Sequence, residues 1–220
     1  MQRVLEPEVM DTWEEAVEYD AMDFTEVNTA FAQRAVELGP KSARILDVGT
    51  GTARIPIAIA QMRPSWQITA IDLSKNMLLI GARNVEASGL QAKIKLELVD
   101  AKKMPYENEY FDMVISNSIV HHLPDPLPFF QEVKRVLKPN GALLIRDLIR
   151  PTDEATMDAL VADIGAEYNA HQKKLFRDSL NAAFTLDEIK QLVEASGLEG
   201  VQVYKSSARH WSVERASQER

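Results

Sequence analysis

From about residue 40 onward, short apolar runs alternate with amphipathic stretches. The runs at 44–48, 67–71, 94–99, 113–117, 142–147 and 201–205 have the length and near-continuous apolarity of buried parallel strands. Between them the pattern predicts helices. One covers 53–62 and stops before Pro64; another starts at Ser74 as its N-cap and ends at Gly89. A third covers 126–137, with Phe129, Phe130, Val133, Val136 and Leu137 at helical spacing, and Lys138, Pro139, Asn140 and Gly141 as its stop and turn. Thr185 and Glu188 form a capping box opening a helix over 186–195, closed by Gly197. Between 151 and 183 the rhythm changes. Met157, Leu160, Val161, Ile164 and Tyr168 mark one helical face, and a polar stretch follows over 169–181. The chain finishes in a hairpin-like pair, 201–205 and 208–213, around Ser206 and Ser207. The pattern is that of an α/β protein with one doubly wound sheet and an insertion after its fifth strand.

The 220 residues predict one domain, 1–220, read as a helical cap (1–40), a core (41–150), a lid (151–183) and a last helix with its strand hairpin (184–220). No apolar run is long enough to cross a bilayer, so no membrane role is expected, and no signal-peptide core opens the chain. Cysteine is absent, which removes disulfides and thiol chemistry and fits a cytoplasmic setting. The net charge of −8 changes the picture more, because residues 1–26 hold nine acids against the single base Arg3. The rest of the chain is balanced and shows no basic stripe. Nucleic acid is therefore not the expected partner. Trp13, Val17, Tyr19, Met22 and Phe24 give the acidic arm apolar anchors, and it is expected to be partly helical and to cover a ligand. The sequence does not choose an oligomeric state.

Ile45-Leu46-Asp47-Val48-Gly49-Thr50-Gly51-Thr52-Ala53 carries the candidate chemistry. An apolar strand containing an acid turns through two glycines directly into a helix, whose free N–H groups face any ligand on the loop. Dinucleotide enzymes use a similar loop, but Asp47 lies where a pyrophosphate would sit and would repel it. It attracts a ligand bearing ammonium and sulfonium charges, such as S-adenosylmethionine. Asp72 closes the second strand, placed to accept ribose hydroxyls, and Asp100 closes the third, placed to receive an adenine amino group. Ser116-Asn117-Ser118 closes the fourth. These stations lie at the carboxyl ends of consecutive strands, where open α/β sheets bind ligands.

The stretches LDVGTGTA (46–53), AIDLSKNML (70–78), VDAKKMPYENEYFDMVISNSIVHHLPDP (99–126) and EVKRVLKPNGALLI (132–145) resemble the core of the class I S-adenosylmethionine-dependent methyltransferases. The likeness is to the small-molecule group related to ubiquinone/menaquinone C-methyltransferases. It covers about half the chain, with Ala53 standing where many members have a third glycine. It implies a Rossmann-like seven-stranded sheet of order 3-2-1-4-5-7-6 with the last strand antiparallel. It also implies cofactor roles for Asp47, Gly49, Gly51, Asp72, Asp100 and Asn117, with Leu73 and Met77 near the adenosine and Ala101 bordering the adenine. Tyr19 is a further candidate, closing over the cofactor from the arm. The expected cofactor is S-adenosylmethionine, with S-adenosylhomocysteine as product.

Methyl transfer needs alignment, desolvation and sometimes a base. His121 and His122 follow the fourth strand and are the base candidates, since imidazole titrates near neutrality. The alternative is that the pair only walls the pocket. No metal is expected, because adjacent residues seldom point to one centre. The lid, with Arg146, His171 and Arg177 facing the acceptor, is expected to bind an anionic small molecule. O-, N- and C-methylation all remain open. So do two rival functions: a catalytically silent S-adenosylmethionine-binding sensor or scaffold, and an NAD-dependent oxidoreductase, which Asp47 disfavours.

Overall fold

The computed structural model describes residues 1–6, 12–165 and 168–218. Glu8 and Asp11 of the acidic arm, and residues 166 and 167 of the expected lid, lie outside them. In chain order the elements are helices α1 (Trp13–Ala21) and α2 (Thr25–Leu38), strand β1 (Arg44–Val48), α3 (Arg54–Met62), β2 (Gln67–Asp72), α4 (Lys75–Ala87), β3 (Ile94–Leu98) and β4 (Phe111–Asn117). A short 3₁₀ turn, Val120–His122, precedes α5 (Leu127–Val136), β5 (Leu137–Leu148), α6 (Glu154–Ala162), α7 (Ala170–Ala182), α8 (Leu186–Ser196), β6 (Gln202–Lys205) and β7 (His210–Arg215).

The strands form one sheet of order β3-β2-β1-β4-β5-β7-β6. β1 to β5 are parallel, and β7 runs antiparallel to β5 and to β6. The expected Rossmann-like fold and strand order are therefore present. Strand alternation divides the core. Leu46, Val48, Leu143 and Ile145 face α5 and α8, where Phe129, Phe130, Val133, Val136, Ile189 and Val193 complete one layer. Ile45, Met113, Ile115, Ala142 and Leu144 face the other layer, with Phe31, Ala32 and Ala35 of α2 and Ile57, Ile59 and Ala60 of α3. A sheet covered on both faces explains why its strands read as continuous apolar runs.

Two local expectations need correction. Lys138–Gly141 was expected to be a turn, but β5 already begins at Leu137, which pairs with Phe111 before an irregularity restores register at Met113 and Ala142. A Cβ on Gly141 would lie 2.8 Å from the Asp112 carbonyl oxygen, so the backbones approach closely there. The polar stretch after Asn169 is helical, opened by a capping box in which Asn169 and Gln172 bond reciprocally. Its polarity reflects exposure, since only Leu180 and Ala182 of α7 are buried.

At the end of α2, a Cβ on Gly39 would lie 2.5 Å from the ring of the fully buried Trp66. The Gly39 φ of −81° is open to any residue, so Gly39→Ala isolates the steric term. It should cost about 1–3 kcal/mol in denaturant unfolding. An unchanged midpoint would show that this layer is not tightly packed.

Candidate active site

Burial leaves no room for a side chain at the first glycine of the turn after β1. Gly49 has φ +74°, and a Cβ there would lie 1.9 Å from Ile119 Cγ2. Gly51 has φ +55°, and its Cβ would rest 3.5 Å from the Tyr19 ring. The loop is thus clamped between the β4 end and the arm. The Gly49 and Thr50 N–H groups both donate to the Ile71 carbonyl, tying the loop to β2. Ala53 is also left-handed, at φ +64°, which accounts for glycine in many relatives at this position.

A cleft opens at the carboxyl ends of β1, β2, β3 and β4. Its lining brings together Tyr19, Gly49, Gly51, Asp72, Leu73, Met77, Asp100, Ala101, Asn117 and His122. Sequence reasoning missed Ile71, Ser74, Val99, Lys102, Ser118, Ile119 and Leu123, which also line it. Most of these flank a residue that was found, so the signal was adjacency. Asp47 sits behind the glycine turn, only 2 % exposed, with no hydrogen bond to its Oδ2. Burial pushes its carboxyl up to about 7; the Thr50 hydroxyl opposes the rise and the Asp72 carboxylate adds to it. Thr50 Oγ1 itself has no completed hydrogen bond. A buried carboxyl with one oxygen left without a donor fits a ligand that brings a cation or N–H groups.

Asp72 is held rigidly. Oδ2 accepts from the Gly51 N–H at 2.8 Å and Oδ1 from the Ser74 N–H at 2.8 Å. Burial raises its pKa, and these backbone donors oppose the rise. Each oxygen keeps a further lone pair for a diol. Asp100 accepts from the Lys102 N–H at 2.8 Å and faces its ammonium at 3.1 Å; burial would raise its pKa, but these contacts hold it low.

The arm reaches the site. α1 packs on α4 through Ala16, Tyr19, Met77 and Ile80. Asp20 fastens it, accepting from Arg54 at 3.0 and 2.8 Å and from Asn84 at 3.0 Å. Burial pushes the Tyr19 hydroxyl up to about 12, with Asp72 and Asp47 adding to the rise. The expected anchors differ: Trp13 and Val17 are exposed, and Ala16 is buried instead.

The histidine corner lies beside the cleft. His122 lines it, whereas His121 is buried behind, its Nδ1 2.6 Å from Asp147 Oδ1. Asp147 also accepts from the His121 and Leu148 N–H groups. Burial alone would depress the His121 pKa, but Asp147 and then Glu6 raise it; Asp147 itself is held low by His121 despite its burial. The reasoning that adjacent residues do not face one centre fails here. The two rings lie 4.2 Å apart, and both approach Glu6 Oε1, His121 Nε2 at 3.3 Å and His122 Nδ1 at 3.1 Å. Glu6 carried no motif and was not found from the sequence.

The expected acceptor-binding residues are not gathered. Arg146 and Asp147 are adjacent on β5 and so face opposite layers. Arg146 lies over the Phe31 ring, donates to Ser212 and is register partner of Asn117. Arg177 is paired with Glu154 and Asp158 on the surface, and His171 is exposed. Arg146, His171 and Arg177 are all absent from the cleft lining.

Residues 40–205 match the family model described as a methyltransferase domain. A demethylmenaquinone methyltransferase of Staphylococcus aureus is 31% identical over 173 residues, covering 74% of this chain and 70% of the relative. That of Bacillus cytotoxicus is 33% identical over 120 residues, 54% of this chain and 50% of the relative. The chain thus matches about half the length of the Bacillus cytotoxicus relative. Among solved structures, a Methanococcus maripaludis protein described as a candidate S-adenosyl-L-methionine-dependent methyltransferase has a TM-score of 0.76 at 20% identity, covering 100% of this chain and 99% of its own.

Two outcomes test this geometry. The folded Asp47 pKa of about 7 lies above its ordinary 3.8, so the folded state holds the extra proton between those values. Stability therefore falls as pH rises through that window. Against uncharged Asp47→Asn, ligand-free wild type should lose roughly 1–4 kcal/mol between about pH 5 and pH 8. A constant difference in denaturant unfolding contradicts the buried carboxylate. Separately, Gly49→Ala should destabilise by more than about 2 kcal/mol through the clash with Ile119 and the left-handed backbone. Adding Ile119→Ala should cost less than the two single effects together, and strict additivity would place the clash elsewhere.

Proposed function

The chain belongs to the methyltransferase-domain family, in its class I ubiquinone/menaquinone-methyltransferase-like group, and from that premise we propose that it transfers a methyl group from S-adenosylmethionine to a small-molecule acceptor. The observation that carries this reading is the buried Asp47 carboxyl, whose Oδ2 has no hydrogen bond, behind the glycine turn of a cleft lined by Asp72 and Asp100. Asp47 would hold the ammonium end, Asp72 the ribose hydroxyls, and Asp100 with Ala101 the adenine. Leu73 and Met77 would flank the adenosine, and Asn117, Gly49 and Gly51 would meet the amino-acid portion. Tyr19 would close over it from α1.

The cofactor supplies an electrophilic methyl on a sulfonium, whose electron pair stays on sulfur as the new bond forms. The residues of this chain align the acceptor, exclude water and take its proton. His122, on the cleft wall, is the side chain proposed to meet the acceptor; His121, locked by Asp147, positions it. The curated relatives named above are demethylmenaquinone methyltransferases, which supports a small organic acceptor. Arg146 beside Asn117 is the cation proposed to hold an acidic group on it. The surface pairing of Arg177 and the exposure of His171 favour no such role. Among the described residues no helix is long and apolar enough to cross a membrane; a cytoplasmic setting is part of the proposal.

Titration calorimetry with S-adenosylmethionine, S-adenosylhomocysteine and NAD tests the cofactor reading. The first two should bind and NAD should not. Asp72→Ala should weaken binding by roughly 1.5–3 kcal/mol, the scale of hydrogen bonds to a charged group. Unchanged affinity in that variant would remove Asp72 from the ribose site. With binding established, absence of methyl transfer across an acceptor panel would favour the silent binding protein.

A further inference from the structure

The chain's first residues are fastened to the histidine corner. Arg3 Nη2 donates to the His121 and Leu123 carbonyls at 3.0 and 2.8 Å, Nε donates to the Ala182 carbonyl at 2.6 Å, and the guanidinium lies over Phe184. The Val4 N–H donates to the Asn181 carbonyl. Glu6 is thereby set between α7 and the histidines, with its side chain 12 % exposed. Its Oε2 accepts from the Ser179 hydroxyl at 3.2 Å, while Oε1 is buried with no hydrogen bond. That oxygen nevertheless lies 3.3 Å from His121 Nε2 and 3.1 Å from His122 Nδ1.

We propose that Glu6 Oε1, His121 Nε2 and His122 Nδ1 form a binding site for a divalent transition-metal ion of the zinc class, set in the wall of the cleft. The three atoms lie within 4.8 Å of one another. Ligand atoms about 2.0–2.1 Å from one ion sit about 3.3 Å apart in a tetrahedral shell, so the two edges at Glu6 already match, and an ion would draw the two ring nitrogens to that spacing. Two imidazoles and one carboxylate are a donor set of catalytic zinc and related ions, which leaves a position for a further ligand. The outer contacts are also those of a metal site. Asp147 Oδ1 holds His121 Nδ1 at 2.6 Å, which turns Nε2 toward Glu6, and Ser179 donates to the second Glu6 oxygen.

Because His122 also lines the cleft, the further ligand fits a thiol or hydroxyl of the acceptor. With the metal bound, the acceptor's proton leaves to solvent instead of passing to a side chain, and the resulting bound anion is the nucleophile. This refinement rests on the methyltransferase reading, but the metal site is tested without turnover. Metal-free full-length protein is titrated with Co²⁺ and its visible ligand-field absorption followed, then Zn²⁺ is added. One Co²⁺ per chain, displaced by Zn²⁺, is expected. Glu6→Gln and His122→Gln should each weaken binding by at least about 100-fold, and Asp147→Asn by about 10–100-fold. S-adenosylhomocysteine affinity, measured on the same samples, reports folding and the cofactor site independently. Stoichiometric Co²⁺ binding absent from wild type, or unchanged in both Glu6→Gln and His122→Gln, overturns the metal site. Loss of S-adenosylhomocysteine binding in wild type would overturn the cofactor reading alone.

Discussion

A carboxylate buried at the end of the central strand is the constraint around which the rest of this molecule is arranged. Asp47 lies on β1, with β2 on one side and β4 on the other, in the part of the sheet most fully covered by both layers. Burying a charge there without a partner is costly, and the protein provides no donor to Asp47 Oδ2. The cost makes sense when a ligand completes the site. Everything nearby then reads as construction around that ligand: a glycine at 49 where a Cβ would collide, an acid at the ends of β2 and β3, and Tyr19 of α1 brought over the glycine turn.

The acidic arm shows how the same economy extends beyond the core. Nine acids in 26 residues would repel one another as a free tail, yet several are used structurally: Glu15 closes the capping box of α1 and Asp23 accepts from the Thr25 N–H. Asp20 bridges α1 to α3 and α4 through Arg54 and Asn84. Glu6 reaches the histidines from beside Ser179 of α7. The arm thus contributes at two separated points, Tyr19 over the glycine turn and Glu6 at the histidine corner.

The alternation of strands and helices, and the acids that end the strands, were legible because both are local. Burial on two faces makes a strand apolar, and a ligand edge puts a polar residue at its end. What was not legible depends on contacts distant in sequence. Lys138–Gly141 reads as a turn from Pro139 and Gly141, but Phe111 recruits Leu137 into the sheet first. Arg146 reads as facing the acceptor from the strand's ligand-side end, but strand alternation sends it toward Phe31 and its neighbour Asp147 toward His121. Glu6 meets His121 across 115 positions, held there by Arg3 contacts that no spacing rule announces. The polar run of α7 concealed a helix because its exposed face outweighs its buried one.

If the buried Asp47 is the seat of a cationic group, ligand binding must ionise it. The direct measurement is calorimetric binding of S-adenosylhomocysteine at about pH 6 in buffers of different ionisation enthalpy, which counts protons released. With a free-state pKa of about 7, wild type should release close to one proton per ligand bound. Asp47→Asn should release none beyond the ligand's own contribution. Equal proton release by the two proteins would contradict the account, leaving Asp47 a buried structural residue and the glycine turn without its electrostatic purpose.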